Sequence, residues 1–305
     1  MIRYILKRIG YGLLTLFIVT TITFFLMYLI PGGPFQSEKA KSEATMKALE
    51  EKYGLDKPIP IQYVNYLKNV IKGDLGLSTK NRGRTVNDII AEGFPISAKL
   101  GSMAVVVAIC VGIPLGCTAA LNRGKWIDNG IIVFATTGIA IPSFIGATLL
   151  LYFIGVKLGL LPTYGLGSAQ HYILPVISLS LYPSAYISRL MRSSILDVLG
   201  QDYMTTARAK GLPQYKRLFK HALRNAVLPV VTYLGPMIAS ILCGSFIVEM
   251  IFTIPGLGRS FISSITDRDY PLVMGTTIFY ATLIIFMNVL VDIAYKIIDP
   301  RIKLN

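Results

Sequence analysis

RLMRSSILDVLGQDYMTTARAKGLPQYKRLFKHALR, residues 189–224, is a long basic stretch set between strongly apolar segments. Its composition predicts short helices broken at Gly200, Gly211 and Pro213. Asp202 is the expected N-cap of a helix over 203–210, which Gly211 ends. Pro213 suits the first turn of a second helix carrying YKRLFKHALRNAV. Pro229 then opens the next apolar run. Such a basic helical pair, inserted in a chain of membrane spans, is a natural docking face for a soluble partner. Lys216, Arg217, Lys220 and Arg224 suit acidic groups around a partner's cleft or anionic lipid heads equally well.

The flanks explain why the chain must live in a membrane. Of its 305 residues 53% are hydrophobic and only 15% charged, against about 25% charged in a soluble domain. Several apolar runs are long enough to cross about 30 Å of hydrocarbon. The fold class is therefore all-α and polytopic, with six transmembrane helices expected at 9–30, 99–121, 131–156, 172–190, 229–250 and 272–295. The first run follows basic residues, as a signal peptide's would. Its apolar core runs about 20 residues, too long for a signal, and ends in PGGP without a small-x-small cleavage site, so a retained span is expected.

The net charge is +14, yet nucleic acid is not an expected partner, because Lys and Arg set the topology of a multi-pass protein. They cluster at Arg3, Lys7 and Arg8; at Arg123 and Lys125; along 192–224; and at Lys296, Arg301 and Lys303. With six spans all four clusters share one side. The positive-inside rule makes that side cytoplasmic, both termini included. The linear organisation is then an N-terminal end and first span (1–30), an external lobe (31–98), and a core of five spans (99–305) with cytoplasmic helices at about 200–224. In the lobe, helices are expected over 42–53 and near 62–71, with turns at Gly73, Gly76 and Gly83.

Chemistry-bearing residues are sparse. Cys110, Cys117 and Cys243 lie in apolar runs and read as small buried hydrophobes. The two histidines are far apart, without an acidic or thiol cluster beside either, so no metal site is expected. Gly101, Gly112, Gly116, Gly138 and Gly146 permit close helix approach. Pro114, Pro142, Pro175, Pro183 and Pro236 break backbone bonds that the bundle must compensate. The segments ATTGIAIPSF and SLSLYPSAYIS bring hydroxyls and tyrosines into spans, either to line a polar path or to pack helices. Asn288 and Asp292 stand one turn apart on one face of the last span. Asp292 is expected to cap or pair near its cytoplasmic end. No acid is central in a span, which argues against a proton-coupled carrier.

TTARAKG, residues 205–211, resembles the EAA loop of ABC importer permeases, with Thr205, Thr206, Ala207 and Gly211 in the motif's places. Thr205 stands where that motif usually has Glu, and Thr206 where it has its first Ala. HALR (221–224) replaces its usual ending, and Leu228-Pro229 follows later. This variant form is similar to the peptide/nickel branch of binding-protein-dependent permeases. KRIG, LIPGGPF, YGLDKPIPIQY, GDLGLS, VEMIFTIPGLGR and NVLVDIAYKIIDPRIK resemble that branch too, so the resemblance spans essentially the whole chain. The large region between the first two spans resembles the "B" type of oligopeptide/dipeptide permease subunit.

The resemblance implies the ABC type I importer permease fold and a place in the bacterial inner membrane. It implies a homologous second permease, two cytosolic ATPases, an external solute-binding protein and a peptide substrate. ATP and Mg would sit on the ATPases. This chain would bind no cofactor and catalyse nothing, and it has no G-x-x-x-x-G-K-[ST] loop. Thr205, Thr206, Ala207, Gly211, Lys216, Arg217, His221 and Arg224 are the implied ATPase-coupling residues. Pro142, Tyr182, Pro183, Pro229, Glu249, Pro255, Gly256, Gly258, Asn288 and Asp292 are candidates for structural or gating roles. Glu249 is expected either to bond the turn that follows it or to meet the binding protein or a substrate amine. Import of nickel or another small solute within the same branch, sugar or murein peptide included, and a membrane structural or sensory module whose basic loop meets lipid, are the competing readings.

Overall fold

The computed structural model describes residues 2–29, 54, 56–81 and 83–298. The helices are α1 (Ile2–Leu29), α2 (Ile59–Ile71), α3 (Val86–Leu121), α4 (Trp126–Ala140) and α5 (Ser143–Leu150), the last prolonged by a π-helical stretch, Leu151–Lys157. They continue as α6 (Ile173–Leu199), α7 (Asp202–Ala209), a helical stretch over 214–226, α8 (Leu228–Gly244), α9 (Phe246–Ile251), α10 (Leu257–Asp267) and α11 (Tyr270–Ile298). Among the described residues β structure is limited to one bridge, Leu77 to Thr85. The helix expected over 42–53 lies outside the described residues.

Among the described residues four helical segments are long and apolar enough to cross a membrane: Leu6–Leu29, Val86–Leu121, Leu223–Ile251 and Tyr270–Ile293. The span expected at 131–156 is instead two helices, α4 and α5, bent by 106° at their junction. The cause is local. Pro142 disfavours helical backbone at Ile141, which is extended (φ −80°, ψ 119°), and the proline itself has no amide to offer α4. Taken as one bent span, the pair makes five. The expected six is reached only if α6 also crosses. It is 27 residues long, rich in serine, and carries Arg189, Arg192 and Asp197 in its C-terminal half.

The second expected span also starts earlier than its apolar run. Thr85 caps α3: its hydroxyl accepts the Asp88 N–H at 3.1 Å, and the Asp88 carboxylate accepts the Thr85 N–H at 3.2 Å. This box, TVND, is present in the sequence and moves the helix start back to Val86, whose side chain is fully buried.

The chain divides into two compact units. One comprises Met1–Ser97 and Pro255–Val289. In it, Phe24 of α1 packs against Tyr63 and Tyr66 of α2, with ring centroids 5.2 and 5.9 Å apart, and Tyr270 and Met274 of α11 complete the cluster. The Thr21 and Tyr63 hydroxyls bond at 2.7 Å. Asp269, buried just before α11, holds the 78–80 turn. It accepts the Ser78 hydroxyl, the Thr79 N–H at 3.0 Å and the Thr79 hydroxyl at 3.1 Å. Gly73, Gly76 and Gly83 all have positive φ, as their expected turns require.

The other unit comprises Ala98–Ile254 and Leu290–Ile302, and α6 is its hub. A Cβ at Gly112 would lie 2.8 Å from Ile187 Cβ, and one at Gly116 2.6 Å from both Met191 Cβ and the Ser188 carbonyl. On another face of α6, Gly138 of α4 approaches Ala185 in the same way. Ser178, Ser180, Ser184 and Ser188 are all buried. These small residues let backbones approach closely, which supplies van der Waals contact where lipid offers no hydrophobic drive. Those four serines thus lie in the packed interior of this unit. Among the cysteines, Cys117 is buried as expected, but Cys110 is exposed on α3.

Candidate functional site

The 202–226 segment folds as two short helices. Gln201, not Asp202, is the N-cap of α7: its backbone is extended and its carbonyl accepts the Met204 and Thr205 N–H groups. Asp202 is instead the first helical residue, where its charge suits the positive end of the helix. The stop at Gly211 is a Schellman motif. Gly211 has φ +73°, its N–H reaches the Arg208 carbonyl at 3.0 Å, and the Leu212 N–H reaches the Ala207 carbonyl at 3.3 Å. The second helix begins after Pro213, whose carbonyl accepts the Arg217 N–H. The Asn225 amide donates to the Tyr203 hydroxyl at 2.9 Å and ties the two helices together.

This geometry sorts the motif residues. Met204, Ala207, Ala222 and Ala226 are buried. Ala207 is therefore the motif residue that is not on the open face. Thr205, Thr206, Arg208, Lys210 and Gly211 form the open face, with Lys216 and Arg224 also exposed and Arg217 half-buried. The side chain of His221 lies outside the described residues. α7 follows directly on α6, whose C-terminal part is held to α4. Arg192 Nε donates to Asp128 Oδ1 at 2.6 Å, and the Gly124 N–H donates to Oδ2 at 2.9 Å. The sequence carried no local sign of this pair, because 64 positions separate its members.

Pro142, Tyr182 and Pro183 are brought together. They line one cavity of about 530 Å³ with Tyr233, Pro236 and Ser240. Tyr186 stacks between the two lining tyrosines, with centroids 6.3 Å from Tyr182 and 4.3 Å from Tyr233. Pro229 sits in the first turn of α8, where a missing N–H costs nothing.

Glu249 is not at the end of a continuous helix. Ser245 interrupts the helix, and Glu249 lies in α9, fully buried, accepting the Ser245 hydroxyl. Its backbone carbonyl takes the Ile254 N–H at 2.8 Å, so the turn after it is held through the main chain. In the other unit, Pro255 is exposed while Gly256 and Gly258 are buried at the start of α10. The Leu257 N–H donates to the Ser97 hydroxyl at 2.9 Å, and Gly93 lets the two backbones meet: a Cβ there would lie 2.9 Å from Leu257 N. Asn288 is exposed and Asp292 half-buried on α11. Among the described residues no group of three or more His, Cys, Asp or Glu could hold a metal ion.

Comparison with known proteins fits this arrangement. A family described as "Binding-protein-dependent transport system inner membrane component" matches residues 112–304, and its N-terminal counterpart matches residues 1–101. The dipeptide transport system permease protein DppB of Bacillus subtilis (strain 168) is 49% identical over 305 residues, covering 100% of this chain and 99% of that protein. The oligopeptide transport system permease protein OppB of Haemophilus influenzae is 45% identical, covering 99% and 100%. Among solved structures, a chain of the MetNI methionine ABC transporter in an inward-facing conformation aligns with a TM-score of 0.54 and 17% identity, over 69% of this chain and 96% of that one. A chain of an amino acid ABC transporter aligns at 0.53 and 19%, over 69% and 94%. At those identities the likeness is one of fold, that of type I ABC importer permeases. The chain belongs to the family of inner membrane components of binding-protein-dependent transport systems, the permeases of ABC importers.

Proposed function

We propose that this chain is one of two permease subunits of an ATP-driven importer that passes dipeptides or oligopeptides into the bacterial cytoplasm. The observation that carries the reading is the identity of 49% and 45%, at essentially full length, to permeases named for dipeptide and oligopeptide transport. The partners are a homologous permease, two cytosolic ATPases that hold ATP and Mg, and an external binding protein that delivers the peptide. This chain catalyses no reaction. It converts movement of the ATPases into movement of its spans.

The basic clusters support an orientation with both termini and the 202–226 helices in the cytoplasm. Trp126, largely exposed at the start of α4 beside Arg123 and Lys125, suits a membrane–water boundary there. The open face of Thr205, Thr206, Arg208, Lys210 and Gly211 then meets a cleft on an ATPase, with Lys216 and Arg224 at its rim. Closure of the ATPases on ATP draws that face with them, and α6 carries the displacement because α7 follows it directly. Two states with different partner contacts are required for such coupling.

Uptake into liposomes holding the natively co-purified complex, offered short peptides and Ni²⁺ side by side, tests the reading. ATP-dependent peptide uptake is the expected result. Uptake of nickel alone would move the chain to the sister function. Neither uptake nor a co-purified ATPase would return it to a structural or sensory role.

A further inference from the structure

Three prolines from three helical segments, Pro142, Pro183 and Pro236, converge on the same cavity of about 530 Å³. A proline has no N–H, so the carbonyl four residues earlier in a helix loses its donor. Pro183 does this to Leu179 within α6. At the end of α4 the chain turns extended at Ile141, so the Gly138 carbonyl has no following helical turn to supply its donor, and Pro142 brings no N–H there. Pro236 reaches the cavity from within α8. Among the described residues no backbone N–H reaches the Ile141 carbonyl. Ile141 and Leu179 themselves line the cavity.

The side chains add hydroxyls and no charge. Ser143, Ser240, Tyr182 and Tyr233 line the cavity, and among the described residues none of their hydroxyls has a hydrogen-bond partner within the chain. No Asp, Glu, Lys, Arg or His is among the lining residues, and the rest of the wall is apolar. A carbonyl without a donor is costly in an apolar surround unless a visiting group supplies one. The ligand that fits is therefore rich in N–H donors, needs no fixed counter-charge and carries its own acceptors for the hydroxyls. A peptide main chain has all three properties. A divalent transition metal, which prefers nitrogen and sulfur ligands, does not.

We infer that the cavity bounded by Pro142, Pro183 and Pro236 is a site that reads the main-chain N–H groups of the passing peptide and leaves its side chains unread. The inference rests on the peptide-importer reading and names where in this chain the peptide is held. A fixed charge in the wall would favour one class of side chain; its absence from the lining lets one passage serve many sequences, with selection left to the delivering protein.

The test uses the complete complex in liposomes, with Cys110, Cys117 and Cys243 replaced. Ser240→Cys and Tyr182→Cys are labelled with a thiol reagent during ATP turnover, with and without trialanine. Leu160→Cys, in an exposed loop away from the cavity, is the control. The expected result is several-fold slower labelling at both cavity positions when peptide is present, and no change at the control. Equal labelling in complexes that still transport trialanine overturns the inference and leaves the importer reading standing. Absence of peptide uptake by the unsubstituted complex overturns both. If the cysteine variants fail to assemble, the native complex decides by a second measurement. With the binding protein saturated, N-methylation of the peptide amides should slow uptake about tenfold per essential N–H, the equivalent of one hydrogen bond of about 1.4 kcal/mol. Unchanged uptake of the methylated peptide would also overturn it.

Discussion

Arg192 grips Asp128 at two points, Nε to Oδ1 at 2.6 Å and Nη2 to Oδ2 at 2.8 Å, and so joins the first turn of α4 to the end of α6. A planar fork meeting a carboxylate in this way fixes direction as well as distance. Breaking a fully buried pair costs about 3–5 kcal/mol. Arg192 keeps a quarter of its side-chain surface exposed, so Asp128→Ala should cost about 2–3 kcal/mol once solvent screening is allowed for. Arg192→Lys should cost less but more than nothing, since an ammonium cannot span both oxygens. Thermal unfolding of the detergent-solubilised protein measures both; an unchanged midpoint for Asp128→Ala would remove the pair from the list of supports. Exchanging the two residues should not restore stability, because the Gly124 N–H would then face a cation.

Asp269 organises the 78–80 turn from a distance of about 190 positions along the chain. Replacing it with Ala leaves the Thr79 N–H and the Ser78 and Thr79 hydroxyls without their acceptor. Each buried donor so abandoned costs about 1–3 kcal/mol. The expected outcome is local: faster amide exchange and protease cutting across 76–85, with the spans intact. Asp269→Asn, which keeps one oxygen, should lie between Ala and wild type. Exchange rates indistinguishable from wild type in the Ala variant would contradict the anchoring role.

Gly116 and Gly130 predict opposite signs for the same change. At Gly116 a new Cβ meets backbone and a β-carbon at 2.6 Å, neither of which can swing aside. Gly116→Ala should separate α3 from α6 and cost about 1–3 kcal/mol. Gly130, on α4, has nothing within 4 Å, and Gly130→Ala should stabilise by about 0.5–1 kcal/mol through helix propensity. An unchanged or raised unfolding midpoint for Gly116→Ala would show that the close approach of α3 and α6 leaves room for a methyl group, and a lowered one for Gly130→Ala would contradict the propensity gain.

Gly211 has open space around it but a backbone that side chains resist, at φ +73°. Gly211→Asp should cost about 1 kcal/mol of local strain and leave insertion unaffected. If the 205–211 face couples to the ATPases, ATP hydrolysis should persist while transport falls. Gly211→Asn, better tolerated in the left-handed region, should be milder. Normal coupled transport by the Asp variant, measured as peptide moved per ATP, would sink the coupling role of this turn.

The basic segment itself yields a separable expectation. Lys216→Ala with Arg217→Ala should weaken association with the ATPases, and more so at low ionic strength, where surface charge is least screened. Unchanged assembly at physiological salt would rule out an electrostatic contribution from these two residues.

Class, membrane setting and family were all readable from the residues, because each rests on a local or compositional property. Apolar runs declare spans wherever they occur, and Gly211 declares its turn because few other residues take that φ. TTARAKG and PGLG are contiguous motifs. Two local signals are contiguous in the sequence as well: the TVND box that starts α3 early, and the Ile141–Pro142 pair, whose proline marks a broken backbone bond but not the 106° bend it produces. What the residues in order could not convey were meetings between distant segments. Asp128 finds Arg192, Asp269 finds the 78–80 turn, Ser97 finds Leu257, and three prolines share one cavity. The inward turn of Ala207 and the burial of the α6 serines belong here too, since a small or hydroxylated residue serves packing or passage equally well until its neighbours are known. Hydrogen bonds and close packing depend on distances in space, and a chain folded on itself sets those distances through contacts that no window of sequence contains.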